Sequence, residues 1–304
     1  MLNVLLTTLP IFLLILLGWC FKRSPLLHES GWVALERVTY YVLFPCLLTT
    51  TLAEAQFGQF DIGAVAGAIG IAFTLISGLL LLVRAWISFD GPSFTSVFQG
   101  CLRMNTYIGL SIASTLYGSE GIAAAALVMA IIVPLVNVAC VLVLAWFGTA
   151  AGGGIKGVVD ACLKNPLILA SFLGIALNYL GWGVIPLLTP MAHILGRAAL
   201  PLGLLAVGAA LSFRAAGAAG AIVAVTSAVK LLILPFATFA ILQLLKAQGV
   251  ETSIAVLFTG LPTATSSYIL ASQYGGDARL MASIISVQTL LSMVCLPLVI
   301  TYLM

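Results

Sequence analysis

The chain has 304 residues, of which 62% are hydrophobic and only 7% charged. A soluble globular domain carries roughly 25% charged residues, so this composition excludes a water-soluble fold and points to an all-α polytopic protein whose solvent is the lipid bilayer. The net charge of +3 reflects lysines and arginines in short loops and gives no reason to expect a nucleic-acid partner.

Apolar runs of about 20 residues, the length that crosses a bilayer core about 30 Å thick as helix, recur from end to end. In chain order they predict ten transmembrane helices, at about 2–21, 31–53, 62–84, 94–117, 121–148, 166–182, 190–213, 218–243, 252–274 and 280–303. Lys22 and Arg23 follow the first run rather than precede it, so a retained span is expected rather than a cleaved signal peptide. The second span opens on the polar turn ESGWVALERVTYY, where Glu36 and Arg37 read as an interfacial pair. The fourth contains GCLRMNTYIGLSIASTLYG, with Arg103 and Asn105 near its middle.

A Gly-rich, basic connector at 151–165 separates a first half, 1–150, from a second, 166–304. It lacks the GxxxxGK[ST] pattern of a phosphate-binding loop, so ATP-driven transport has no support. The eighth span carries Lys230, followed by Pro235, and the ninth contains GLPTATSSYILASQYGG. The six cysteines show no CxxC spacing, and His28 and His193 are the only histidines. Neither a metal site nor any other cofactor is expected. No paired acids or nucleophile–base set appears at sensible spacing, so an enzyme is not expected either.

Basic loop residues orient the chain. With both termini outside, Lys22, Arg23, Arg84, Lys156, Lys164, Arg214 and Arg279 face the cytoplasm, and only Lys246 lies in an outer loop. The halves are also related. Leu17-Gly18 matches Leu173-Gly174, LFPCLL around Pro45 matches ALPLGLL around Pro201, and LYGSEG around Tyr117 matches QYGGDA around Tyr274, all at an offset of about 156 residues. Each half has an odd number of spans, so the second enters the membrane from the opposite side. That is a 5+5 inverted repeat, an arrangement of many secondary transporters.

In such folds the substrate sits near the midplane, between helices broken at corresponding positions. Helices four and nine are the candidates for a broken, crossed pair, with Gly100, Asn105 and Gly109 in one and Gly260, Pro262 and Thr263 in the other. Pro262 removes a backbone donor. Among the charged residues, Arg103 and Lys230 fall near the middle of their spans with no midplane carboxylate in view. A charge there costs about 2.5–3.5 kcal/mol on insertion scales, which suggests that the missing anion is the substrate. The planar fork of arginine suits a carboxylate. Lys230, Gln288 and Asn137 are read as groups for charge compensation, coupling or helix–helix hydrogen bonding.

The chain resembles the auxin efflux carrier family, which includes plant auxin transporters and bacterial organic-acid carriers. The resemblance spans essentially the whole chain and is carried by Asn105-Thr106, Gly109 and Tyr117-Gly118 in the fourth span. Leu261-Pro262, Ala271 and Tyr274 carry it in the ninth, and LERVTYYVLFPCLL in the second. It implies a scaffold of helices 1, 2, 6 and 7 that dimerises, and a moving transport domain of helices 3–5 and 8–10. It also implies an elevator-type motion and an anionic substrate bound where helices 4 and 9 cross. Carried over residue by residue, it places Asn105 and Pro262 at the crossover, with Thr106 and Thr263 beside them. Tyr107 and Thr265 follow as further substrate contacts. Met104 and Ser111 stand where plant members carry prolines, so Gly109 is a second candidate, with Pro262, for breaking a helix.

The expected function is therefore secondary transport of small carboxylates, such as malonate, malate, lactate or indole-3-acetate, across the inner membrane. Arg103 and Asn105 would hold the carboxylate. Proton or sodium coupling is left open. A sodium-coupled carrier akin to the bile-acid symporters is the main alternative, and an anion channel is the next.

Overall fold

The computed structural model describes residues 2–25, 27–55, 60–86, 89–149, 166–182, 186, 188–212 and 220–304. The connector expected at 151–165, with Lys156 and Lys164, lies outside the described residues, as does Arg214. All regular structure among the described residues is helical, as backbone in lipid requires when each N–H and C=O must find its partner within the segment.

In chain order the helices are α1 (Leu2–Arg23), α2 (Glu29–Val38), α3 (Phe44–Ala53), α4 (Ile62–Trp86), α5 (Gly91–Leu102) and α6 (Thr106–Phe147). There follow α7 (Pro166–Tyr179), α8 (Leu188–Ala209), α9 (Ala221–Ala228), α10 (Leu234–Leu244), α11 (Val250–Thr259), α12 (Ser266–Tyr274) and α13 (Ala278–Leu303). Among the described residues, five stretches are long and apolar enough to cross a membrane: Ile62–Trp86, Gly91–Phe147, Leu188–Ala209, Ala221–Leu244 and Ala278–Leu303. On α4 the two faces are both apolar. Val65, Ala68, Ile69, Ala72 and Phe73 are buried, whereas Ile71, Leu75, Leu79 and Leu82 point outward in a helical stripe suited to lipid.

Two junctions are continuous but widened. A π-turn at Thr39–Leu43 joins α2 to α3, and another at Val229–Ile233 joins α9 to α10. Each is followed at once by a residue and a proline, Phe44-Pro45 and Leu234-Pro235. Proline offers no N–H to the carbonyl four residues back and its ring crowds that group. The turn upstream relaxes into wider bonds, from Phe44 N–H to Thr39 O and from Leu234 N–H to Val229 O.

Two other junctions are real breaks. After α5, Arg103 and Asn105 are extended, with ψ of 152° and 100°. The Asn105 side chain then caps α6 by accepting from the N–H groups of Tyr107 (3.1 Å) and Ile108 (3.4 Å). After α11, the helix is interrupted from Gly260 through Thr265, a stretch of turn and irregular backbone that includes Pro262, before α12 begins. Gly109 does not break its helix. It lies one turn inside α6, its N–H bonded to Asn105 O at 3.2 Å, and it serves close packing against Leu261 and Phe258.

Small residues bring the remaining helices together. Gly18 of α1 meets the backbone of Leu205 on α8, and Gly174 of α7 meets Thr49 and Leu52 on α3. At one end of the bundle, Asp277 caps α13 and ties it to α5, accepting from Ser96 Oγ through its carbonyl (2.9 Å) and donating from its N–H to Pro92 O (3.1 Å).

The long helix α6 is kinked at Gly118, whose φ of 59° and ψ of −137° lie outside the range of residues with a Cβ. A Cβ at Gly118 would meet nothing within 4 Å, so any cost of adding one is conformational. Gly118→Ala is expected to destabilise the fold by about 1–3 kcal/mol, read as a lower unfolding temperature in detergent. An unchanged temperature would contradict the kink described here.

Candidate functional site

The two breaks meet. Asn105 donates its backbone N–H to Pro262 O at 2.7 Å, joining the interruption after α5 to the one after α11. Breaking a helix frees carbonyls at the end of the preceding segment, and here three side chains collect them. Lys230, 0% exposed, donates to Thr259 O (3.0 Å) and lies 3.4 Å from Leu102 O, the last carbonyls of α11 and α5. Gln288 of α13 donates from Nε2 to Gly100 O (3.0 Å) and accepts the N–H of Thr263 at Oε1 (2.9 Å). The Thr263 hydroxyl lies 2.8 Å from Gly100 O and 2.7 Å from Gln288 Oε1, and donates its single proton to one of them.

This clasp accounts for one of the two basic residues expected near the middle of their spans. Lys230 faces the C-terminal ends of two helices, which carry partial negative charge, and so has its compensation built in. Arg103 is different. Its Nη1 donates to Asn137 Oδ1 (3.0 Å) and its Nη2 to Ser266 Oγ (3.2 Å), both neutral groups; its buried Nε has no oxygen or nitrogen partner, and the buried Cys140 thiol lies close to the guanidinium. Among the described residues no carboxylate pairs with it; the ion pairs there are Lys22–Glu29 and His193–Glu54.

Arg103 borders a small cavity of about 70 Å³, shared with Tyr40, Thr106, Asn137, Ala264 and Ser266. This adjoins a larger one of about 400 Å³, reached past Asn105, Tyr107 and Thr265 and extending to Glu36, Arg37 and Tyr41. Helices α6 and α12 begin here, so their N-terminal ends, with partial positive charge, flank the space. Tyr107 is held by a stacked contact with Phe44, ring centroids 4.7 Å apart. The arrangement is chemically suited to an anion: a guanidinium with N–H donors to spare, two helix N-termini and the hydroxyl side chains of Thr106, Thr265 and Ser266.

Another cavity, of about 520 Å³, is lined by Thr51, Glu54, Ser119, Glu120 and His193. Glu36 and Glu54 are 18 positions apart on α2–α3, about 27 Å along a helix axis. The two spaces therefore lie toward opposite ends of α2–α3, the larger one at the breaks.

Of the residues expected from sequence, Arg103, Asn105, Thr106, Tyr107, Thr265 and Asn137 border these adjoining cavities. Pro262 meets Asn105 through its carbonyl. Thr263, Gln288 and Lys230 lie instead in the clasp behind the break, fully buried. Glu36 and Arg37, read from sequence as an interfacial pair, line the larger cavity. Tyr40 and Ser266 were not singled out. Ser266 lies within the GLPTATSS segment, and Pro45, five residues after Tyr40, signals the widened turn that carries it.

Removing the Lys230 ammonium leaves two buried carbonyls without their donor. Lys230→Met is expected to destabilise the protein by about 1–3 kcal/mol, measurable as a fall in unfolding temperature in detergent. A variant as stable as the original would contradict the clasp.

A model of the family described as membrane transport protein matches residues 157–300. An uncharacterized transporter of Methanothermobacter thermautotrophicus is 28% identical over 299 residues, covering 96% of this chain and 96% of the relative. A protein of Rhizobium meliloti provisionally named a malonate transporter is 28% identical over 300 residues, covering 93% and 91%. An uncharacterized transporter of Methanocaldococcus jannaschii is 24% identical over 304 residues, covering 95% and 96%.

Proposed function

Because the chain belongs to the auxin efflux carrier family of membrane transport proteins, we propose that it is a secondary carrier of small carboxylates, with Arg103 holding the carboxylate where the two broken helices meet. The observation that carries this reading is the partly buried Arg103 guanidinium, whose Nε is unpartnered and whose Nη bonds go to neutral groups beside a cavity. Malonate, malate, lactate and indole-3-acetate are the anions to try first.

In this reading ten spans form a 5+5 inverted repeat with both termini outside. Three contacts support it. Asn105 and Pro262, 157 positions apart, touch each other, as residues related by a two-fold axis do only near that axis. Leu102 and Thr259, also 157 apart, share Lys230. Gly18 packs α1 on α8 as Gly174 packs α7 on α3, which is the exchange of partners that a repeat pairing span one with six and two with seven demands.

Helices 1, 2, 6 and 7 would form a scaffold joining two copies in the cell membrane, while helices 3–5 and 8–10 carry the site across. The cavities toward opposite ends of α2–α3 suit alternating access by such an elevator-type movement. The sodium-coupled alternative is disfavoured by Lys230, whose Nζ already occupies the place beside the carbonyls freed at both breaks.

In proteoliposomes, Arg103→Gln is expected to weaken half-saturation by the transported carboxylate about tenfold to a hundredfold, and Arg103→Lys to recover only part of it because the planar fork is lost. Replacing sodium by potassium at fixed voltage and pH should leave uptake unchanged. Unaltered transport in Arg103→Gln would sink the reading.

A further inference from the structure

The two adjoining cavities share Tyr40, Thr106, Ala264 and Ser266. Three of these come from the helix breaks and are small; Tyr40 comes from the junction of α2 and α3 and is the bulky one. A cavity of about 150 Å³ takes a benzene, so the chamber of about 70 Å³ beside Arg103, about half that size, has room for a carboxylate and little beyond its α-carbon. Everything else of a bound anion must lie on the other side of Tyr40, in the chamber of about 400 Å³.

Tyr40 is held in place by its turn. It is the second residue of the π-turn Thr39–Leu43, a local widening that recurs at functional sites. The widened turn turns Tyr41 toward the larger chamber as well. The Tyr41 ring stands edge-on to Tyr40, centroids 5.2 Å apart and planes at 89°.

We infer that Tyr40 determines specificity at this site: its ring narrows the passage between a chamber for the carboxylate and a chamber for the remainder of the anion, so that carboxylates with an unbranched α-carbon are accepted and those branched there are rejected. This rests on the reading of Arg103 as the partner of the carboxylate. The larger chamber, with Arg37, Tyr41 and Tyr107, accommodates either a second carboxylate or a ring, so selection acts on the α-carbon rather than on the far end.

Malonate and 2,2-dimethylmalonate carry the same charges and differ only by two methyl groups on the α-carbon. Each is used to compete with labelled malonate in counterflow into proteoliposomes. In the unaltered protein, dimethylmalonate is expected to compete about tenfold or more less well. Tyr40→Ala and Tyr40→Leu should bring the two within about threefold of each other, whereas Tyr40→Phe should keep the original ratio because the ring and not the hydroxyl forms the neck. Equal competition in the unaltered protein, or an unchanged ratio in both enlarged variants, overturns the role of Tyr40. Malonate counterflow that persists undiminished in Arg103→Gln instead overturns the placement of the carboxylate, and absence of malonate counterflow in the unaltered protein overturns both.

Discussion

A helix interrupted in lipid leaves backbone N–H and C=O groups that water cannot reach, and each costs several kcal/mol if left alone. Everything distinctive about this protein follows from how two such interruptions are reconciled. They are brought against each other, Asn105 N–H to Pro262 O, and their stranded carbonyls are given to Lys230, Gln288 and Thr263. Asn105 also caps the helix that restarts beyond the gap. One residue thereby serves both sides of the break.

The same arrangement separates charge. Carbonyl ends of the first halves gather on one side, where Lys230 compensates them. The N-terminal ends of the second halves gather on the other, beside Arg103. Among the described residues no carboxylate pairs with Arg103, and Glu36, which lines the adjoining cavity, is accompanied there by Arg37. An anion completes the site. The clasp also ties residues from α5, α11, α13 and the π-turn after α9 to one another through a handful of buried bonds.

Much of this is legible in the chain itself, for physical reasons. Arg103 and Asn105 stand out because polar groups are costly in an apolar span, and Pro262 because it removes a donor. Gly109 misled because a glycine in a membrane helix serves a break and a close contact equally well; the side chain of Leu261 decides for contact. Thr263 reads as a ligand until its partner is known, and that partner, Gln288, lies 25 residues on in a different helix. Lys230 resembles a second anion-binding group for the same reason: the carbonyls that compensate it come from α5 and α11, and no local pattern announces them. Tyr40 is invisible for the opposite reason, since an aromatic in an apolar span is ordinary until a widened turn aims it at a cavity.

The account depends most on where the carboxylate goes. A structure determined with saturating malonate in detergent or nanodisc tests that directly. The expected result is a carboxylate within hydrogen-bond reach of the Arg103 guanidinium, between the N-terminal ends of α6 and α12. Malonate bound elsewhere, for example beside His193 and Glu54, with Arg103 still bonded only to Asn137 and Ser266, would contradict it.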